Sequence, residues 1–291
     1  MTNKTAFAAL VVALIALGIV LFRPAHEEQV AKKETTFARV MRTQILRCAY
    51  EVWPPFLSRD SKNGKLSGVY YELLEKMGRD LHLKIEWAEE VGKAAMFEGF
   101  QTGRYDAFCS AITPSPGRAL AGDFTRPFGY VPFFLYAREG DNRFDNNYGA
   151  ANSEAIALVA ADGDLTAIIT REVFPKAKAL SLPDLTNGAD ILMTVASGKA
   201  DATVNDSNIA RAFIANNPGK IKQAKGLPLR FPSMSIALPA GEERLRQILD
   251  LTLTHYLETG VIERIFMTYG LDETKILRVA KPYQTGIAEH E

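Results

Sequence analysis

Between Tyr105 and Phe128 the chain reads YDAFCSAITPSPGRALAGDFTRPF, and it sets a hydroxyl, Thr113, close to a guanidinium, Arg118. The stretch Tyr105–Ile112 alternates aromatic and small residues and is expected to form a strand. Pro114 and Pro116 then break it. Ligands of open α/β sheets bind beyond the carboxyl ends of strands. Arginine presents a planar fork of donors that suits a carboxylate. The competing reading pairs Arg118 with Asp123 on the surface, and this window alone does not separate the two.

A second pattern echoes the first. Gln101–Ala107 reads QTGRYDA and Ala196–Ala202 reads ASGKADA. Each ends a helical pattern with a glycine suited to a C-cap and a basic residue that complements the helix dipole. The strand after the first runs into Ser110 and Thr113; the strand after the second runs into Asn205, Asp206 and Ser207. If the two clusters face each other, one supplies a cation and the other an anion, and an α-amino acid carries the complementary charges. Asp206 equally suits the N-cap of a helix over SNIARAFIANN.

The elements that must position these residues follow from periodicity. Ile45–Tyr50 reads as a strand leading into a rigid aromatic loop, Val52-Trp53-Pro54-Pro55-Phe56. Val69–Leu81 carries Leu73, Leu74, Met77 and Leu81 at helical spacing. Strand Leu83–Trp87, helix Lys93–Gln101 and strand Asp106–Ile112 complete a β-α-β-α-β unit, which favours a parallel sheet with right-handed crossovers. After the apolar strand Val131–Ala137 comes a second unit. It comprises strand Ala155–Ala160, helix Leu165–Phe174, strand Ala177–Leu182, helix Leu185–Ala196, strand Ala202–Val204 and helix Ser207–Asn216, stopped by Asn217-Pro218-Gly219. Pro228–Leu238 is extended, helices Glu242–Glu258 and Val261–Tyr269 follow, and Arg278–Gln284 reads as a terminal strap.

A chain of 291 residues, 47% apolar, has room for about two domains. Lys+Arg and Asp+Glu are both 34. With no basic stripe, nucleic acid is not an expected partner. The histidines, His26, His82, His255 and His290, lack metal-ligand spacing. Phosphate-binding loops, serine-hydrolase elbows and zinc-protease motifs are absent from the sequence, so neither metal nor cofactor is expected. Ala6–Phe22 contains no polar residue and is just long enough to cross a bilayer core. With Lys4 before it, residues 1–23 read as a signal peptide or, preferably, an uncleaved signal anchor. Residues 24–39 read as a tether, most charged over Arg23–Thr36. Cys48 and Cys109 fall in apolar strands. Export would permit a disulfide, but buried free thiols are the preferred reading.

In the order of these pieces the chain resembles the periplasmic solute-binding proteins of the amino-acid ABC-transporter type, over roughly Thr43–Leu271. Ile45–Phe56 resembles the family's first strand and Pro-Pro-Phe loop, and KLSGV at Lys65–Val69 its entry to the first helix. Gly103–Phe128 resembles the G-x-x-D-A … T-x-x-x-x-R … D-F-S-x-P block, the most specific part, and Gly198–Ser207 its second-lobe counterpart. Glu242–Gly270 is similar to the terminal helix pair.

The resemblance implies an α/β, two-lobed periplasmic-binding-protein-like fold. Each lobe would be a mostly parallel sheet flanked by helices, with two hinge crossovers near Val131–Arg138 and Ser233–Leu238. Lobe 1 would be about 40–133 plus 235–285 and lobe 2 about 134–234. Ligand would bind in the cleft, and the lobes would close over it. Carried over position by position, Arg118 matches the arginine that takes the ligand carboxylate and Asp206 the acid that takes its ammonium. Thr113 matches the neighbouring hydroxyl, Ser110 and Ala111 match positions that often contribute backbone groups, and Trp53 matches the aromatic that packs on the ligand. Core packing is the alternative for Trp53.

Several positions depart from the family. Ser115-Pro116-Gly117-Arg118 replaces T-P-E-R, and Tyr50 stands where many relatives carry an acid. Gly163-Asp164-Leu165-Thr166 replaces a Gly-Thr/Ser pair, and Thr166 is taken as the substitute. Lys93, near a position often aromatic, could meet an acidic ligand or belong to a solvated face, and the solvated face is the preferred reading. The implied protein is monomeric and periplasmic, tethered to the inner membrane by residues 6–22 where that segment stays uncleaved, and delivers an amino acid or small carboxylate to a membrane permease. Two other readings stay open. One is a dehydratase-like enzyme on the same fold using Glu51, Glu89 or Glu90 as acid or base. The other is an anchored sensing or interaction domain.

Overall fold

The computed structural model describes residues 34–272 and 275–277. In chain order the elements begin with α1 (Thr36–Thr43), β1 (Ile45–Tyr50), β2 (Ser58–Arg59), β3 (Leu66–Ser67), α2 (Val69–Asp80), β4 (Lys84–Glu90), α3 (Met96–Thr102), β5 (Ala107–Ile112), α4 (Pro116–Ala119), β6 (Gly122–Phe124) and β7 (Phe133–Arg138). They continue with β8 (Ala157–Ala161), α5 (Leu165–Val173), β9 (Lys178–Leu182), α6 (Gly188–Ala196), β10 (Ala202–Asp206), α7 (Ser207–Asn216), β11 (Ile221–Gln223), β12 (Ser235–Pro239), α8 (Glu243–Glu258) and α9 (Val261–Thr268).

Two five-stranded sheets organise the lobes, in the orders β4-β1-β5-β12-β6 and β11-β7-β10-β8-β9. In the first, β1 runs parallel to β4 and β5, while β12 is antiparallel to β5 and β6. In the second, β8 runs parallel to β9 and β10, while β7 is antiparallel to β10 and β11. In each sheet four strands thus run one way, and a single opposed strand, β12 in the first and β7 in the second, lies between the parallel set and the edge strand. Every residue of β5, AFCSAI, is buried, as befits a strand covered on both faces. Helix α2 turns Val69, Tyr70, Leu73, Leu74 and Met77 inward. Tyr70 stacks on Phe56, fixing the loop that carries Trp53 (ring centroids 5.5 Å apart).

The chain crosses between the sheets twice, and the crossings lie side by side. Tyr130 bridges Ser233, Phe133 bridges Arg230, and the Val131 amide donates to the Pro232 carbonyl at 3.0 Å.

Two local features differ from the sequence reading. Cys48 and Cys109 are joined in a disulfide rather than left as thiols. The reason is strand order: β1 and β5 are immediate parallel neighbours, which brings the two Cα atoms to 5.4 Å, within disulfide reach. Helix α1 is the second difference. It starts inside the stretch read as a tether and is capped by Thr35, whose Oγ1 accepts from the Ala38 amide at 3.1 Å. Val40 is the buried residue of this short helix. Arg39 instead binds Asp106, which is 1% exposed and also pairs with Arg47. Among the described residues no helix is long and apolar enough to cross a membrane. The apolar run Ala6–Phe22 and the strap Arg278–Gln284 lie outside the described residues.

Candidate ligand-binding site

The two polar clusters singled out in the sequence meet where the lobes face each other. Arg118 belongs to α4, just beyond β5 of the first lobe; Asp206 ends β10 and caps α7 in the second. Both line one small cavity of about 20 Å³, together with Trp53, Tyr70, Ala111 and Thr113. It adjoins a larger cavity of about 390 Å³, whose wall includes Glu51, Trp53, Lys93, Asp164, Thr166 and Asn205. Trp53, Lys93 and Phe133 line both.

Arg118 is not the surface partner of Asp123. It is 8% exposed, and Asp123 accepts instead from the Gly241 and Glu242 amides. The guanidinium donates to the Thr113 carbonyl at 2.9 Å and, across the cleft, to the Gly163 carbonyl at 2.7 Å. No ion pair found among the described residues uses it. Burial, opposed by the charges of Asp164 and Glu51, draws its pKa down.

Asp206 is 0% exposed, and its two oxygens differ in their surroundings. Oδ1 caps α7, accepting from the amides of Asn208 at 2.6 Å and Ile209 at 3.4 Å. Oδ2 is buried without a hydrogen-bond partner. Burial outweighs the capping bonds and pushes the carboxyl pKa up to about 7. The cap and the cleft-facing acid are therefore one residue, not alternatives.

The remaining expected residues are placed as follows. Ala111 lines the small cavity. The Thr113 hydroxyl, in the same cavity, donates to the Ser233 carbonyl at 2.8 Å and so ties the site to the returning crossover. Thr166 lines the larger cavity, with its amide donating to Asp164 Oδ1 at 2.8 Å. Ser110 borders neither cavity: its hydroxyl accepts from the Glu51 amide and donates to the Glu51 carbonyl, both at 2.9 Å. It positions Glu51 from behind. Trp53 packs against the cores of both lobes, and its Nε1 has no partner.

Lys93 was expected on a solvated face and is not there. It sits in the turn before α3, 6% exposed, with Nζ 2.9 Å from Asp164 Oδ2, paired also with Glu51 Oε2, and 4.5 Å from the Trp53 ring centroid. Burial alone would lower its pKa, but the charges of Asp164 and Glu51 outweigh that and raise it. Asp164 is held below the usual carboxylate range because Lys93 and the Thr166 amide overcome its burial. For Glu51 burial wins and the pKa rises. Sequence periodicity missed this centre. The available signal was the small-residue setting of Lys93, Gly92-Lys93-Ala94-Ala95, which marks close backbone approach. A Cβ on Gly163 would lie 2.6 Å from Ala94 Cβ across the cleft.

Comparison with known proteins bears on the family and the fold. The model of the bacterial extracellular solute-binding proteins, family 3, matches residues 46–272. A probable amino-acid ABC transporter-binding protein of Haemophilus influenzae is 25% identical, covering 81% of this chain and 89% of that protein. Among solved structures, an ancestral amino acid-binding protein described as a precursor of cyclohexadienyl dehydratase is similar, with a TM-score of 0.70 at 22% identity, covering 81% and 99% of the two chains. A putative ABC-transporter binding component from Wolinella succinogenes, complexed with lysine, gives 0.70 at 21% identity, covering 79% and 97%.

Proposed function

Because this chain belongs to the bacterial extracellular solute-binding proteins, family 3, we propose that it captures an amino acid between its lobes and delivers it to an ABC-type permease. The observation that carries the reading is the pairing of opposite charges across one cavity. The first lobe supplies Arg118, with no carboxylate partner among the described ion pairs. The second supplies Asp206, with an unspent Oδ2. An α-carboxylate and an α-ammonium satisfy both. Trp53, Ala111 and Thr113 complete the wall around them, with Thr166 in the adjoining cavity. The two lobes, about 40–133 plus 235–285 and about 134–234, close about the paired crossings at Tyr130–Phe133 and Arg230–Ser233, because most of the expected hinges Val131–Arg138 and Ser233–Leu238 is taken up by strands β7 and β12.

The protein works by binding rather than by turnover. Of the carboxylates that an enzyme would need, Glu89 pairs with Arg104 at 2.7 Å and Glu90 with Arg59 at 2.8 Å, while Glu51 is engaged by Lys93. Its place is outside the cytoplasm, with residues 6–22 holding it to the membrane as an anchor.

A thermal-shift screen of the chain lacking residues 1–33 against amino acids and small carboxylates tests the reading. A ligand at 100 times Kd adds about 2.7 kcal/mol. Trp53 bridges the lobes and its emission should change on binding, whereas Trp87, packed between Tyr50 and Tyr71 of the first lobe, should report little. No stabilisation by any amino acid refutes capture. A verified ligand that leaves Trp53 emission unchanged refutes closure.

A further inference from the structure

We infer that Lys93 is a tethered cation, filling a subsite that would otherwise take the cationic end of a ligand, and that it restricts the cleft to amino acids with neutral, hydrogen-bond-accepting side chains. The restriction rests on the amino-acid reading; the tethered cation does not.

An ammonium ion in a partly dry cleft is best held by an aromatic face and by carboxylates. All three are assembled here from separate parts of the chain. Trp53 and Glu51 come from the segment after β1, and Asp164 from the N-cap of α5 in the other lobe. Lys93 Nζ lies 4.5 Å from the centroid of the indole ring, 2.9 Å from Asp164 Oδ2, and against Glu51 Oε2. All four residues line the 390 Å³ cavity, so the subsite is continuous with the space a ligand side chain would enter. A second cation brought beside Nζ would meet like-charge repulsion, strengthened by the low dielectric of a buried site. Glu51 and Asp164 both converge on Nζ, so a second cation would have to share them with Lys93.

What remains unspent on the wall, two donors and the Thr166 hydroxyl, points to a neutral side chain that accepts hydrogen bonds. Asn205 Nδ2 and Trp53 Nε1 are buried donors without partners. Phe133, Ile191, Ile209 and Phe213 supply apolar surface around them. A carboxamide side chain offers an acceptor to those donors and no charge to Lys93. A side-chain carboxylate would confront Glu51 and Asp164, and a guanidinium or ammonium would confront Lys93.

Lys93→Ala removes the equivalent of n-propylammonium and retains Cβ, so n-propylammonium chloride is the probe. Expected is a Tm for Lys93→Ala below wild type that the probe raises by at least half the deficit, while sodium chloride at equal ionic strength does not. Wild type should not respond. By calorimetry, wild type should bind glutamine at least about tenfold more tightly than arginine, and Lys93→Ala should gain at least about tenfold in arginine affinity. That gain should disappear in Glu51→Gln/Lys93→Ala. If Lys93→Ala alone does not fold, the Asp164→Asn/Lys93→Ala variant leaves one carboxylate beside the vacated indole and carries the same two readouts. Absence of both probe rescue and arginine gain in a folded variant overturns the proposal, as does wild type binding arginine as tightly as glutamine. Rescue by the probe with no amino acid binding to wild type would sustain the tethered cation and refute amino-acid capture.

Discussion

Asp206 offers the sharpest test of the cleft because its two oxygens have different duties. Its carboxyl pKa is raised from 3.8 to about 7, chiefly by burial. The folded value lies above the unfolded one, so folding takes up a proton between those pH values. Stability is therefore greatest below pH 4 with respect to this group and falls as the pH rises through 7, by roughly 4 kcal/mol in all. Ligand binding runs the other way. An α-ammonium needs the ionised carboxylate, and at pH 5 only about 1% of the unliganded protein has it, so affinity at pH 5 should be about 100-fold below that at pH 8. Asp206→Asn keeps an oxygen to accept from the Asn208 and Ile209 amides, so α7 stays capped. The variant should lose affinity, lose the slope below pH 7, and retain or gain stability at pH 8. Calorimetric titration at pH 5, 6, 7 and 8 on both proteins reads this directly. A flat wild-type profile, or the same profile in Asp206→Asn, would refute the assignment of Oδ2 to the ligand amine.

Other consequences can be checked in parallel. Arg118→Ala should cost about 2–5 kcal/mol of binding free energy while the fold survives, measured by calorimetry and circular dichroism; undiminished affinity would remove Arg118 from the site. Replacing both Cys48 and Cys109 by alanine opens a covalent loop of sequence separation 61 and should destabilise the protein by about 4 kcal/mol, lowering Tm by roughly 10 °C; an unchanged Tm would contradict a structural bond. Gly163→Ala should hinder closure, because its Cβ would stand 2.6 Å from that of Ala94 and its φ of +72° disfavours a side chain. Weaker ligand binding with a more extended scattering profile is the expected result, and wild-type affinity would show that the lobes do not need this approach.

The sequence reading succeeded where information is local. Helix α7 begins at Ser207 and ends at Asn216 as its cap and stop signals indicate. The turn after β5 carries Arg118 to the cleft as its prolines suggest. It failed where a residue's meaning depends on a neighbour distant in the chain. Lys93 precedes a helix, and its burial depends on Glu51 and Trp53 from the loop after β1 and on Asp164 from the other lobe, all distant in sequence. Cys48 and Cys109 look like two apolar-strand cysteines until β1 and β5 are known to be adjacent. Ser110 was placed on the correct strand end, but its side chain faces the main chain of Glu51 rather than the cavity, an orientation that spacing alone does not reveal. Asp206 both caps α7 and lines the small cavity, a combination that sequence patterns present as a choice because they treat a carboxylate as one acceptor.

Burial of the disulfide places it in time as well as in space. Cys48 and Cys109 are 0% and 1% exposed. Thiol–disulfide exchange needs a third sulfur to reach the bond it attacks. Once α2 has packed and the first sheet is complete, no such partner can approach either sulfur, to make the bond or to break it. Oxidation must therefore happen while β1 and β5 are still open to solvent. A chain that folds reduced is shut away from later oxidants, and a chain that folds oxidised is shut away from later reductants. The state of this cysteine pair is thus a record of the surroundings in which the first lobe folded, and it persists wherever the protein is afterwards carried.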